Sequence, residues 1–530
     1  MLFTSYGFIG FVFLLLVLYY AVPQKMRWPL LLLFSYAFYY LADPIYLVYI
    51  TITSISVWAC GVWIERFRQE QTEYLSLHKE ELSREDKKNY KASVKKKQWR
   101  ILLIALFLNL GILAVLKYTN FMISNINGIL DSFGKEPLGF WTIALPMGIS
   151  FYTFQAVGYI IDVYRGTTGA ERNPFRFMLF VSFFPQLVQG PISRFGDLSK
   201  TLYAGAPFDK KNLAFGLQRI LWGFFKKLVI ADRILVGVNA IIQDTDTYYG
   251  IYVFVGMLFY ALELYADFTG GIDITIGVAE CLGISVTENF RRPYFSKNIK
   301  EYWNRWHITM GSWFTDYIFY PITVCGPMLK LSKASRKYLG EKIGKRVPIY
   351  LSGFVVWLAT GIWHGASWNF VAWGLANYVV IMASQECEPL YARFHRAFPR
   401  LKGTRMHDLV QVIRTVLLMS LLRTFDCYRD VPLTFRMVGT MFTDPQIDRL
   451  FDGSLLQLGL GVSDYAVVLI GLLLLVSVSL FQRRESVRVQ IARLSYWPRF
   501  CIWYGLFLIV LIFGAYGVGY DASQFIYNQF

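Results

Sequence analysis

The sequence has little charge: only 17% of its 530 residues are Asp, Glu, Lys or Arg, whereas 55% are hydrophobic and 18% are aromatic. A soluble protein of this length would have about a quarter of its residues charged. The composition therefore excludes a soluble enzyme and indicates an all-α, polytopic membrane protein, since a spanning helix needs roughly 20 apolar residues. About a dozen membrane-embedded helices are expected, some of them re-entrant, from the apolar segments near 4–22, 27–42, 45–63, 101–117, 143–163, 212–235, 248–267, 347–384, 409–424, 464–481 and 499–519.

Metal-binding and disulfide patterns are also missing. The five histidines show no i, i+4 pair, and the six cysteines are scattered without the close spacing of a zinc site or a disulfide framework. We therefore expect no metal and no tightly bound cofactor. The cysteines are interpreted as small apolar side chains; they are Cys60, Cys281, Cys325, Cys387, Cys427 and Cys501.

No removable signal peptide is expected. The first apolar segment lacks a basic region before it, and no small-residue cleavage pattern follows it before Pro23. The net charge of +17 could suggest nucleic-acid binding, but the basic residues lie in loops between apolar segments, as the positive-inside bias produces. We expect no nucleic acid, an N-terminus outside the membrane, and cytoplasmic loops at 25–27, 84–100, 330–346, 393–405 and 483–492.

One long charged insertion, residues 65–100, interrupts the N-terminal third. Its last part, 84–100, has eight Lys or Arg residues against Glu85 and Asp86. One interpretation is a solvated cytoplasmic helical hairpin or loop, and the other is a docking surface for an acidic donor protein or anionic lipid head groups. The four expected regions are N-terminal helices at 1–64, the insertion at 65–100, a catalytic core at 101–384 and C-terminal helices at 385–530.

The run 347–384 contains no charged residue, and His364 is its one histidine. As a single helix it would be about 57 Å long, nearly twice a bilayer core of about 30 Å. It must therefore break, and Gly361 and Gly365 place the break at the histidine. Ionisable groups inside membranes usually face a protein interior or a cavity and mark a reactive centre or a pathway, so His364 is the first candidate for function.

A second histidine, His307, lies in a segment where aromatic and apolar residues recur every three or four positions from Trp303 to Tyr320. This spacing predicts one helical face, and its tryptophans and tyrosines favour an interfacial helix. His307 is either directly catalytic or a structural residue that lines a tunnel.

The motifs around both histidines resemble those of the membrane-bound O-acyltransferases, in particular the alginate O-acetylation type. About 225 residues share the resemblance, and the motifs occur in the family's order. They are LPMGISFYTFQAVGYIIDVYRG at 145–166, FFPQLVQGPISRFGDL at 183–198, DFTGGIDITIG at 267–277, ENFRRPYF at 288–295, YWNRWHITMGSWFTDYIFYPI at 302–322 and GIWHGASWNFVAWG at 361–374.

The resemblance implies a bundle around a central tunnel in the bacterial cytoplasmic membrane, with His364 as the catalytic histidine and His307 facing the same tunnel. It also implies an acyl donor, acetyl-CoA or another acyl thioester, at the cytoplasmic side. The acceptor would be a polysaccharide, with an extracytoplasmic acetyltransferase partner finishing the transfer. D-alanyl transfer from a carrier-protein thioester to teichoic acid is the alternative within the family, and a transporter or flippase is the alternative outside it.

Seven further residues are candidates for lining the tunnel or binding substrate. Two interpretations are open for the polar candidates: they contact phosphate groups of the acyl donor, or they only form hydrogen bonds with backbone groups at helix ends. Members of the family commonly have a histidine shortly after the Trp-Gly pair of the last motif, where this chain has Asn377. The candidates are Asn289, Trp303, Arg305, Trp306, Asp316, Trp363 and Asn377. Asp267 and Asp273, which flank Gly270 and Gly271 at an expected break between apolar segments, are interpreted as structural.

Overall fold

A computed structural model describes residues 3–187 and 189–516. Within these residues the chain forms helices and connecting loops without a β-strand, which confirms the all-α prediction. The chain divides into two compact units, Met1–Ala214 with Val278–Thr287, and Phe215–Gly277 with Glu288–Phe530. The sequence-based division at residues 64, 100 and 384 stays a prediction.

The first unit contains eight helices in its described part and the start of a ninth. They are α1 (Tyr6–Ala21), α2 (Gln24–Ala42), α3 (Tyr46–Leu77), α4 (Arg84–Ser132), α5 (Ile149–Arg165), α6 (Pro174–Ser182), α7 (Phe184–Leu187) and α8 (Phe195–Leu202). Polar caps begin several of them: the Ser5 hydroxyl accepts from Phe8 N, and the Asn173 side chain caps α6 ahead of a proline at its first position.

The second unit begins within α9 (Lys210–Phe224), which continues through a π-helical segment, Phe225–Ala231. The further helices are α10 (Asp232–Gln243), α11 (Ile251–Cys281), α12 (Ile299–Trp303), α13 (Ile308–Phe314), α14 (Tyr320–Val324), α15 (Gly326–Gly344), α16 (Val347–His364), α17 (Trp368–Glu386), α18 (Glu388–Ala397), α19 (Arg405–Leu422), α20 (Thr424–Tyr428), α21 (Val431–Thr443), α22 (Val462–Phe481), α23 (Val487–Ala492) and α24 (Tyr496–Phe513). Short 3₁₀ turns cover Pro293–Phe295, Ile447–Leu450 and Ser454–Leu458, and a second π-helical segment covers Thr315–Phe319.

Six described helices, α3, α4, α11, α16, α22 and α24, are long and apolar enough to cross a membrane. Each expected apolar segment overlaps a helix, although residues 143–148 precede α5 and residues 517–519 of the last segment lie outside the described residues. The protein is thus a multi-pass membrane protein. The expected sidedness of its loops and the central tunnel stay predictions.

The charged insertion 65–100 is a helical hairpin. Helix α3 extends to Leu77, and α4 starts at Arg84 and runs for 49 residues, or about 74 Å, well beyond a bilayer core. Two polar contacts hold the pair together: Gln98 donates to the carbonyl of Ile64 over 3.0 Å, and Asn109 donates to Ser56 over 3.2 Å.

The run 347–384 breaks where the sequence predicts. Helix α16 ends at His364, and α17 begins at Trp368 after a three-residue turn. Glycine lets the two helices approach closely: a Cβ on Gly361 would lie 2.5 Å from the Phe370 carbonyl oxygen, and one on Gly374 would lie 2.5 Å from that of Trp357. Small residues serve this purpose between membrane helices. The hairpin therefore depends on backbone contact.

We expect Gly361→Ala to destabilise the protein, because the new methyl group would meet backbone, which cannot rotate away. Gly353→Ala on the same helix is the matched control, since its Cβ would make an ordinary 3.5 Å contact with the Tyr378 ring. Thermal unfolding of the two purified variants in detergent measures the difference. Equal melting temperatures would show that α16 and α17 separate at little cost.

Two expectations about helix continuity are wrong. The predicted helix from 303 to 320 is interrupted, because the chain leaves α12 at Trp303 and enters α13 only after His307, whose left-handed backbone (φ 47°) ends any regular helix. The expected break at Gly270 and Gly271 is absent, since α11 runs straight through them. Gly270 instead allows close packing on α9: a Cβ there would lie 3.0 Å from the carbonyl oxygen of Gly223.

Candidate active site

His364 is the last residue of α16 and is 8% exposed. Its ring lies edge-on to Trp363, with centroids 5.0 Å apart, and to Trp373 of α17, with centroids 4.7 Å apart. The helical hairpin thus positions the imidazole at its turn between two indole rings. The low exposure means that a substrate would have to reach His364 through the protein.

His307 is fully buried and precedes α13. Its φ of 47° is unusual for a residue with a side chain, and such backbone conformations cost on the order of 1–3 kcal/mol and cluster at functional sites. The ring packs against Phe268, with centroids 5.0 Å apart. A segment held in this conformation by its surroundings keeps the imidazole in one place.

Asn289 fixes the orientation of His307. Its Oδ1 accepts from Thr309 N over 3.0 Å and from the Thr309 hydroxyl over 2.9 Å. The backbone N–H identifies that atom as the amide oxygen, so Nδ2 faces His307 Nδ1 at 3.3 Å. An amide nitrogen can only donate, so this contact favours the tautomer in which Nδ1 accepts and the proton of a neutral imidazole lies on Nε2.

One indole ring, that of Trp363, contacts both imidazoles. Its centroid is 6.0 Å from His307 and 5.0 Å from His364. On the His307 side of the cluster, the ring of Phe290 packs against that of Trp306, with centroids 5.0 Å apart. The fold therefore brings the two histidines of the distant motifs into one aromatic cluster. We call these two residues, His307 and His364, the imidazole pair.

The sequence-based reasoning missed Arg423, a buried cation of this cluster. Its guanidinium lies 5.1 Å from the ring centroid of Trp306 and 4.9 Å from that of Trp373, and its Nη1 is 2.7 Å from Asp426 Oδ2. The signal was an arginine at the end of the apolar segment 409–424, with an aspartate three residues later. Arg423 thus contacts two indole rings of the aromatic cluster, those of Trp306 and Trp373.

His307 lies outside the six candidate spans. Burial first, and the positive charge of Arg423 second, lower its pKa to about 3. Its imidazole is consequently neutral at every pH at which the protein would work.

The remaining candidates differ in position. Trp303 joins the cluster through Trp373, with centroids 5.9 Å apart. Asn377 is fully buried, but its Nδ2 donates to the carbonyl of Trp373 on its own helix. Arg305 pairs with Glu301 on the preceding turn, as the helix-end alternative expects. Asp316 lies on the π-helical segment Thr315–Phe319.

A second buried charge network lies at Lys227. Its Nζ is 2.7 Å from Asp232 Oδ1 and 2.7 Å from Asp267 Oδ1, and all three side chains are almost fully buried. The interpretation of Asp267 as structural fits this arrangement. Asp273 lies apart from it and pairs with Lys226 and Arg219.

Lys227→Met is expected to destabilise the protein by about 3–5 kcal/mol, because it leaves two buried carboxylates without their cation. Lys210→Met, which removes an exposed lysine from α9, is the control. Thermal unfolding in detergent measures both variants. A Lys227→Met protein as stable as the control would mean that the two aspartates are neutral in the folded chain.

No group of three metal-ligating side chains occurs in the described part of the chain. The arrangement is instead suited to proton transfer, because it places two buried imidazoles in one aromatic cluster.

Residues 171–424 match the model of the membrane-bound O-acyltransferase family. The chain is 38% identical over 276 residues to a probable alginate O-acetylase, AlgI, of Azotobacter vinelandii, covering 52% of this chain and 51% of that protein. It is 29% identical over 332 residues to a peptidoglycan O-acetyltransferase of Helicobacter pylori, covering 58% and 59%. It is 27% identical over 275 residues to a teichoic acid D-alanyltransferase of Bacillus subtilis, covering 51% and 65%. The chain spans about half the length of the alginate O-acetylase relatives that it matches.

Proposed function

We propose that this chain, which carries a domain of the membrane-bound O-acyltransferase family at residues 171–424, transfers acetyl groups for the O-acetylation of an extracellular or cell-wall polysaccharide. The observation that carries the proposal is the buried imidazole pair, whose two rings both contact Trp363. The family match includes both histidines, and the names of two relatives, an alginate O-acetylase and a peptidoglycan O-acetyltransferase, support acetyl as the group and a glycan as the acceptor.

His364 is the proposed general base. It accepts the proton of an acceptor hydroxyl as that oxygen attacks the carbonyl carbon of the acyl donor, and it returns the proton to the leaving thiolate or alkoxide. Imidazole suits both halves of the step because its ordinary pKa of about 6.5 lies near working pH. The new ester bond forms as the donor's bond to its leaving group breaks, so protons and electron pairs balance.

His307 has a different proposed role. With its proton on Nε2 and its Nδ1 occupied by Asn289, the neutral ring can donate a hydrogen bond but has no need to accept a proton. Such a donor would stabilise the negative charge that develops on the donor's carbonyl oxygen. The burial that keeps His307 neutral also makes this hydrogen bond stronger than it would be in water.

We propose acetyl-CoA or another acyl thioester as the donor, arriving from the cytoplasmic side, and an extracytoplasmic acetyltransferase as the partner that finishes transfer to the polysaccharide. Transfer is direct, without an acyl-enzyme, because the motif regions contain no G-x-S-x-G elbow. Trapping an acyl group on this chain by mass spectrometry would contradict direct transfer.

D-alanyl transfer to teichoic acid is the second candidate, favoured by the similarity to teichoic acid D-alanyltransferases, which is lower in identity than that to the alginate O-acetylases. A transporter or flippase is the candidate outside the enzyme class. These functions differ in the ester that appears on the cell surface.

The test is mild alkaline release of acetate and D-alanine from the surface glycans of cells that express the native chain, the His364→Ala variant or neither. We expect acetate to fall in the last two strains alike. A fall in D-alanine instead would select the teichoic acid alternative. Unchanged levels of both esters would contradict acyl transfer to these glycans and favour a transporter.

A further inference from the structure

Trp373 of α17 is fully buried and lies against one member of the imidazole pair. Its ring packs edge-on to that of His364, with centroids 4.7 Å apart and an angle of 72° between the planes. Its Nε1 is buried and makes no hydrogen bond with the described residues. Trp373 therefore places an N–H without an acceptor beside the proposed general base.

The unpaired N–H needs a physical explanation, because a buried donor without an acceptor costs about 1–3 kcal/mol. Other indoles of this chain have the same feature, among them Trp58 on α3. The lack of an acceptor thus does not by itself indicate a site. What distinguishes Trp373 is its contact with His364, where the proposed reaction brings in a group that can accept a hydrogen bond.

The indole of Trp373 is held on several sides. The next residue, Gly374, lies against the backbone of α16, since a Cβ there would be 2.5 Å from the carbonyl oxygen of Trp357. The guanidinium of Arg423 lies 4.9 Å from the ring centroid, and the ring of Trp303 packs at 5.9 Å. The N–H is therefore fixed in place before a substrate enters, which is what a donor to a developing charge requires.

The chemistry of the step selects the atom that would accept this hydrogen bond. An indole N–H only donates, so its partner must offer an acceptor atom. In the proposed step, a hydroxyl next to His364 attacks the carbonyl carbon of the acyl donor. Since Nε1 belongs to a ring in contact with the imidazole, the oxygen on that carbon comes within its reach. This oxygen gains negative charge during the attack, so the hydrogen bond is strongest in the transition state.

We propose that the indole N–H of Trp373 donates to the carbonyl oxygen of the acyl donor during transfer, as a second donor beside His307. The inference rests on the proposed function, because it requires acyl transfer at His364. The resting protein tolerates the unpaired N–H, and the transition state supplies its acceptor.

The test removes the N–H and keeps the ring. Benzothienylalanine, in which sulfur takes the place of the indole N–H, is incorporated at position 373 of the full chain. The variant retains the contacts of the ring with His364 and Arg423 and loses the donor. Rates of ester formation are measured over a range of acetyl-CoA concentrations in membranes that contain equal amounts of each protein. Melting temperatures are measured in detergent.

We expect kcat to fall about 10²-fold with KM unchanged, because the lost hydrogen bond forms mainly in the transition state. The melting temperature should not fall, since the N–H makes no hydrogen bond in the resting protein. The same analogue at position 58 is the matched control: it removes an equally unpaired N–H outside residues 171–424 and should leave kcat unchanged. If the analogue at position 373 does not accumulate, Trp373→Phe with Trp58→Phe as its control replaces the pair.

Three results would overturn the inference. A native kcat would show that the N–H does not touch the reacting atoms, and a raised KM with native kcat would place the contact in the ground state. A melting temperature that falls together with the rate would show a structural role. His364→Ala, measured alongside, separates the two proposals. If it keeps the native rate, the chemistry proposed at His364 fails; if it loses the rate while the analogue at position 373 does not, only the role of Trp373 fails.

Discussion

Replacing His364 with alanine is expected to slow acyl transfer by about 10²- to 10⁴-fold, the usual contribution of a positioned acid and base. The imidazole ends α16 and is held between Trp363 and Trp373, so no neighbouring group on the hairpin can take the proton in its place. The rate of ester formation by membranes containing equal amounts of native and variant chain measures the effect.

Two controls separate catalysis from folding. His364→Gln keeps a polar side chain of similar size but cannot accept a proton, so its rate should fall as far as that of the alanine variant while its melting temperature stays close to native. His78→Ala removes a histidine outside residues 171–424 and should leave the rate unchanged. A His364→Gln protein with near-native rate would contradict the general-base role.

The position of His364 could be predicted because its cause is local. A charge-free run too long for one bilayer crossing must break, and Gly361 and Gly365 mark the position. Helix α16 ends at that histidine, as expected. The class of the whole chain, an all-α membrane protein, could also be predicted, because low charge and long apolar segments reflect folding in a lipid bilayer.

The surroundings of His307 could not be predicted, because their causes are distant in the chain. Periodicity alone favoured a continuous helix through this histidine, but its backbone is left-handed and its ring contacts Asn289 and Phe268. Arg423 was missed for the same reason: more than 100 residues separate it from His307 in the sequence.

The second large effect is expected from Asn289→Asp. The new side chain has nearly the same size, and its oxygen can still accept from both Thr309 donors, so the fold should survive. Facing His307 Nδ1, however, it offers a carboxylate where the native chain offers an N–H. The neutral imidazole must then carry its proton on Nδ1 and loses the Nε2 proton that it would donate to the donor's carbonyl oxygen. Loss of one such donor costs about 10²- to 10³-fold in rate.

The pH dependence of this variant distinguishes the tautomer from a general loss of structure. The native pKa of His307 is about 3, so the ring is neutral above that pH and its charge does not change between pH 5 and 9. A neighbouring carboxylate raises the pKa of an imidazole. In Asn289→Asp, lowering the pH through the raised pKa adds the second proton and restores an N–H on Nε2. The ratio of variant to native rate should therefore increase as the pH falls from 9 to 5.

Asn289→Ala, which leaves no group at Nδ1, should show a ratio that does not change with pH. A constant ratio for Asn289→Asp as well would mean that the amide only packs against His307 and does not set its proton.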